Sequence, residues 1–207
     1  MTKRTDKGRD ALSNAAGKAL LRLARTTIAE KLGRPQTEED RAACETLRTE
    51  EALQRKCGTF VTIKMRGELR GCIGSLVACE SIVDGVRSNA LNAAFCDSRF
   101  RPLTMEELPE IVLEISILSE PAPLAYTDAD DLLGKLRPGE DGVIIRKGSL
   151  AATFLPQVWE QLPRPEDFLS HLCGKARLPP EYWRQGDLEV STYTVQHFEE
   201  KQGGAGR

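Results

Sequence analysis

Between Phe60 and Ser75 the chain reads FVTIKMRGELRGCIGS. Strand-forming residues lie on both sides of Arg66-Gly67. So short a connection joins neighbouring antiparallel strands, because a parallel pair needs a crossover of about a dozen residues or more. This commits the fold to antiparallel pairing, and the rest of the pattern agrees. Leu12, Ala16, Ala19, Leu20, Leu23, Thr27 and Ile28 recur near helical spacing, with Gly33 and Pro35 as the exit. Thr37, three residues before Asp40, opens a second helix expected to run to about Leu53. Ser81 opens a third, lined on one side by Ile82, Val86, Ala90, Ala93 and Ala94. Thr104-Met105-Glu106-Glu107 reads as a capping box opening a short helix that Pro109 ends. EIVLEISILSE alternates as a half-buried strand.

Pro121 and Pro123 mark a boundary. Beyond it come a short helix in DADDLLGKL, a hairpin in DGVIIRKGSLAATFLPQ with Lys147-Gly148 at its turn, and three helices separated by prolines. LEVSTYTVQHFEE then alternates as one long C-terminal strand. The expected fold class is α+β, with two subdomains that each carry an antiparallel sheet flanked by helices, and with a cleft between the lobes. The large subdomain is expected over about 8–121 plus 187–200, the small inserted one over about 122–186, and a disordered tail over 201–207. Trp159, Trp183, Phe154 and Phe168 are assigned to the core of the small lobe.

Composition narrows the function. The 207 residues are 40% hydrophobic with a formal net charge of −2, and aromatics make up only 5%. A nucleic-acid binder usually carries a basic excess and a base-stacking surface, so nucleic acid is not an expected partner. No apolar run approaches the roughly 20 residues that span a bilayer. No secretory apolar stretch follows the charged start, and the expected location is cytoplasmic. The six cysteines include no C-x-x-C pair and show no zinc spacing with His171 or His197, so neither a metal site nor a cofactor is expected.

Leu69-Arg70-Gly71-Cys72-Ile73-Gly74 demands an explanation, because glycine weakens strand interiors and often marks the close approach of a backbone or ligand. The stretches ELRGCIGSL, NAAFCDSRFRPLTMEELPEIVLEISIL, LRPGEDGVIIRKG, ATFLPQVWEQLPRPEDFLSHLCGKA and YTVQHFEE closely resemble the AmmeMemoRadiSam system protein A family, the bacterial and archaeal form of the AMMECR-type domain. The likeness runs from about residue 12 to 200, and Leu69 to Gly74 matches that family's signature hexapeptide, LRGCIG. The resemblance implies two α+β subdomains with antiparallel sheets. It also implies genomic neighbours that are a Memo-like protein, itself resembling extradiol dioxygenases, and a radical SAM protein. It implies no settled catalytic activity, so whether the chain is an enzyme stays open.

The residues leave two functions in view. One is an interaction, assembly or small-ligand-binding component acting with those partners. The other is an enzyme using Cys72 and Arg70 in the interlobe cleft on an anionic small molecule. In a regular strand Arg70, Cys72 and Gly74 share a face. Arg70 would favour a Cys72 thiolate, yet no histidine is close in sequence to serve as base. The other reading makes Cys72 a small buried hydrophobe and gives the glycines to close helix packing. Arg70 needs a carboxylate or an anionic ligand, and Asp97, Arg99 and Glu114 are the charged residues expected to meet it. It is read either as a buried Arg70–Asp97 pair or, with Arg99, as an anion-binding cleft edge. Asn89 is read as orienting backbone or facing a ligand. Asp167 and His171 share a helix face, as a solvated pair or an oriented base. Cys173 faces elsewhere, and His197 is assigned no role.

Overall fold

A computed structural model describes residues 11–76 and 78–201, Arg48 for its backbone only. Residues 8–10 and the expected tail beyond Lys201 lie outside the described residues. The chain forms two compact units: residues up to Leu118 together with those from Gln196, and Ser119–Val195.

The first unit contains α1 (Asn14–Lys31), α2 (Glu38–Thr49), α3 (Glu51–Gln54), β1 (Thr59–Met65), β2 (Glu68–Ser75), α4 (Ile82–Phe95) and β3 (Ile111–Leu118). Thr37 and Asp40 make the reciprocal capping box expected of them. The helix they open stops at Glu50, whose extended backbone separates α2 from α3, so the expected helix to Leu53 is broken. Arg66 and Gly67 both have positive φ, 56° and 85°, the geometry of the tight turn that matches strand twist. Residues 105–110 are turns and not the expected helix. Glu107 does accept the Thr104 amide at 2.9 Å, as a capping box requires, but its carboxylate is also bound by Arg70.

The second unit contains β4 (Ala122–Pro123), α5 (Ala129–Lys135), β5 (Gly142–Lys147), β6 (Leu150–Phe154), α6 (Pro165–Lys175) and β7 (Glu189–Tyr193), with 3-10 turns at Pro156–Glu160 and Pro180–Gln185. The last strand, β8 (Val195–Glu199), returns to the first unit's sheet. The two sheets are ordered β2-β1-β3-β8 and β4-β7-β5-β6. The single C-terminal strand read from the alternation is therefore two strands in different sheets. Alternation reports faces and carries no information about which edge a strand joins.

Val61, Ile63, Leu113, Ile115 and Ile117 turn one face of the first sheet toward α1 and α4, where the core lies. Phe198 of β8 packs its ring against Gly17 of α1. The second core is built as expected on aromatics. Trp159 stacks on Phe168 with centroids 3.7 Å apart, Phe154 meets Phe168 edge-on, and Trp183 is fully buried.

Candidate functional site at the edge of the first sheet

β2 is an edge strand, and its pairing with β1 is not regular. Ile63 opposes Gly71 while Lys64 opposes Leu69, so Arg70 is an extra residue in a β-bulge. Bulges re-aim a side chain and bend the strand. The expectation that Arg70, Cys72 and Gly74 share a face holds only for a regular strand, and Arg70 departs from it. Its guanidinium turns to the loop after α4 and grips Glu107 with both arms, Nε–Oε1 2.9 Å and Nη2–Oε2 3.0 Å. The expected Arg70–Asp97 pair does not form, and Glu114 lies elsewhere on the sheet.

Asp97 serves the strand differently. In antiparallel pairing the backbone groups of alternate residues point away from the neighbouring strand, and at an edge they have no partner. Cys72 is such a residue. Its N–H donates to Asp97 Oδ2 at 2.9 Å, and its carbonyl accepts from Arg99 Nη2 at 3.3 Å. Arg99 in turn donates to both Asp97 oxygens, at 2.9 and 2.7 Å. Two side chains from one loop thus stand in for a missing strand. The Arg99 guanidinium, with help from the Cys72 and Arg99 amides, holds the Asp97 carboxyl well below the usual carboxylate range. The Phe100 ring centroid lies 5.9 Å from Arg70 Cζ and 5.5 Å from Arg99 Cζ, which places that ring beside both cations. The two arginines expected to form an anion-binding edge are therefore each closed by a carboxylate.

The glycines follow from packing. A Cβ on Gly71 would sit 2.2 Å from the Ala93 carbonyl oxygen of α4, and one on Gly74 would meet the Phe60 ring and the Thr59 carbonyl. Ile73 packs against the core, while Leu69 is exposed.

Cys72 is half-buried on the sheet face opposite α4, and Thr62 Oγ1 donates to its sulfur at 3.3 Å. Register continues the row: Cys72 opposes Thr62, and Thr62 opposes Glu114. Glu114 meets Lys64 Nζ at 2.9 Å and His197 Nδ1 at 3.3 Å, and His197 Nδ1 is 3.0 Å from Ser116 Oγ. His197 and then Lys64 lower the Glu114 carboxyl to about 2, against the opposing effect of burial. His197, given no role above, thus belongs to a polar network on this face. It stands three strands from Cys72, about 14 Å at the usual 4.7–4.9 Å spacing. Cys72 and His197 do not form a nucleophile–base pair.

Asn89 sits on the other side of the sheet. Its amide donates to the Thr59 carbonyl and hydroxyl at 3.0 and 2.9 Å, fixing α4 to β1. Asp167 and His171 are both exposed, and Asp167 lies 3.7 Å from Arg164 rather than being held by His171. Cys173 is buried, which raises its thiol pKa. Among the described residues no group of three or more histidines, cysteines or carboxylates is placed to hold a metal, and no helix is long and apolar enough to cross a membrane.

Sequence reasoning missed Glu107, because its position three residues after Thr104 already accounted for it as a cap. It missed Thr62 as the partner of Cys72, although counting outward from the Arg66-Gly67 turn comes within one residue of that pairing. The Arg70–Glu107 pair is testable. We expect Arg70→Ala and Glu107→Ala each to cost about 2 kcal/mol, since each leaves a half-buried charge without its partner. The double variant should lose less than the sum, with a coupling of 1 kcal/mol or more. Urea denaturation of the four proteins measures it, and additive losses would count against the pair.

Comparison with known proteins places this architecture. The AMMECR1 family model matches residues 21–198. A protein of Thermofilum pendens is 37% identical over 205 residues, covering 91% of this chain and 92% of its own length. A protein of Methanopyrus kandleri is 34% identical, with 90% and 89% covered. The solved structure of the uncharacterized protein PH0010 from Pyrococcus horikoshii aligns with a TM-score of 0.73 at 32% identity, covering 92% of this chain and 94% of that one. With the match running from α1 to β8, the chain belongs to the AMMECR1 family.

Proposed function

We propose that the protein is an assembly component that uses the edge of its first sheet to dock a Memo-like or radical SAM partner in the cytoplasm. The observation that carries this reading is the position of its exposed apolar surface. Leu69, Leu76 and Met105, exposed by 43, 37 and 39%, are the large hydrophobic side chains exposed among the described residues. Two bracket β2 and the third lies on the loop that clasps it. Leu69 and Leu76 are about 23 Å apart along an extended strand, a span suited to a patch of about 800 Å² on one partner. Exposed apolar residues at both ends of one edge strand and on the loop that clasps it, beside charged groups that hold the backbone, suit recognition.

The location is supported by the thiols, since all six cysteines are free. The partner class comes from the resemblance of the hexapeptide and its flanking stretches to the AmmeMemoRadiSam system protein A family. An enzyme working through Cys72 and Arg70 is less well supported, because Arg70 is occupied by Glu107 and the sulfur's neighbour is a hydroxyl. The test is co-purification with the Memo-like and radical SAM proteins of the same genome. A stable complex is expected, and Leu69→Asp with Met105→Asp should weaken it tenfold or more without lowering the melting temperature, because both residues are exposed. No complex with either protein, or full binding by the double variant, would overturn the proposal.

A further inference from the structure

A cavity of about 330 Å³ opens on the first unit, away from the hexapeptide. One wall is a stripe of α1 bearing Arg22, Arg25, Thr26 and Ala29. The connector from Arg34 to Thr37, Asp40 and Leu108-Pro109 complete the lining. Two cap motifs fix this shape. At the end of α1 the Gly33 amide bonds to the Glu30 carbonyl and the Arg34 amide to Ala29, with Gly33 at φ 95°, which pins the backbone that carries Arg34. The Thr37–Asp40 box fixes Asp40, whose carboxylate then takes Arg22 at 2.9 Å.

The three arginines are not equivalent. Arg25 is spent on Glu200 and on the carbonyls of Leu108 and Ile111. Arg22 is held by Asp40, and its remaining contact, to the largely exposed Glu39, is long at 3.3 Å. Arg34 is exposed, and among the described residues no carboxylate pairs with it. The lining carries three arginines, of which Asp40 and Glu39 hold Arg22 and Glu200 holds Arg25, so that Arg34 is the cation left to a ligand, together with the apolar surfaces of Ala29, Pro35, Leu108 and Pro109. Since Asp40 and Glu200 hold the other two guanidinium groups, it is that of Arg34 that draws an anion.

We propose that this cavity is a binding site for a small organic anion, a carboxylate or phosphate monoester with a compact apolar body. The head group bonds Arg34 and displaces Glu39 from Arg22, while the body lies against Ala29, Pro35 and Leu108. A volume near 330 Å³ is at the small end of ligand pockets and suits a single ring or a short chain. This inference is independent of the assembly reading.

The experiment is a titration of isotope-labelled full-length protein with benzoate, with phenyl phosphate and with benzyl alcohol as the uncharged counterpart, followed by amide and arginine Nε resonances. Saturable shifts are expected at Gln36, Thr37 and the Nε groups of Arg22 and Arg34 for at least one anion and not for the alcohol. The anion that binds more tightly identifies the head group. Arg34→Ala should weaken binding about tenfold or more, in keeping with the loss of a charge-assisted hydrogen bond, and leave the remaining spectrum unchanged. Equal shifts with the alcohol, unchanged affinity in Arg34→Ala, or no saturable shift at these residues with either anion would overturn it.

Discussion

Gly71→Val lowers stability by about 3 kcal/mol or more, whereas Cys72→Ser costs about 1 kcal/mol or less. The difference lies in what each new atom meets. A Cβ at position 71 stands 2.2 Å from a carbonyl oxygen of α4, and that oxygen belongs to helix backbone that cannot swing aside. Either α4 lifts from β2 or the strand leaves β1, and both open the core around Ile73 and Ala93. Serine at position 72 keeps the backbone bonds to Asp97 and Arg99 and can still accept from Thr62. Urea midpoints of the two variants give the order directly. The reverse order would mean that the glycine is not there for helix packing.

Asp97→Ala is the second large effect, at about 2–3 kcal/mol. It leaves the Cys72 amide without its acceptor at the strand edge and frees Arg99. Asp97→Asn keeps one acceptor oxygen and should cost about half as much. The effect also carries a pH signature. The folded Asp97 carboxyl titrates below its unfolded counterpart because Arg99 holds the charged form, and Glu114 does the same, at about 2, through His197 and Lys64. As pH falls below the ordinary carboxylate range the unfolded chain takes up protons first. The stability from the Asp97–Arg99 and Glu114–Lys64 pairs is thus complete above about pH 5 and is lost progressively toward pH 2. Asp97→Ala should flatten part of that decline, as should Glu114→Gln. Stability curves between pH 7 and pH 2 that run parallel to wild type in both variants would sink the assignment.

Much of this arrangement is legible in the chain. Arg66-Gly67 discloses the hairpin because few residues tolerate two successive positive φ angles, and Thr37 with Asp40 discloses a helix start because the two side chains satisfy each other's backbone. The close packing of Gly71 follows from its place in a strand beside a helix of small residues. The partner of Arg70 was out of reach, because a bulge shifts a side chain without any local mark in composition. The carboxylate that claims Arg70 lies 37 positions away in a segment that reads as a helix cap. The break between β7 and β8 is hidden for a related reason. Tyr193-Thr194-Val195 continues the alternation while the backbone passes from one sheet to the other.

That passage has a consequence for synthesis on the ribosome. Helices α1 and α4 and the strands β1, β2 and β3 are all made before Ser119, but the sheet they build lacks its fourth strand until β8 emerges. The intervening roughly 80 residues take on the order of 4–16 s at about 5–20 residues per second. For that interval the outer edge of β3 is open and Gly17 waits for the Phe198 ring. The nascent protein is then a three-stranded half-product with an apolar seam, the form most exposed to chaperones and to mispairing. A chain released a few residues short of Glu199 would carry that vulnerability permanently.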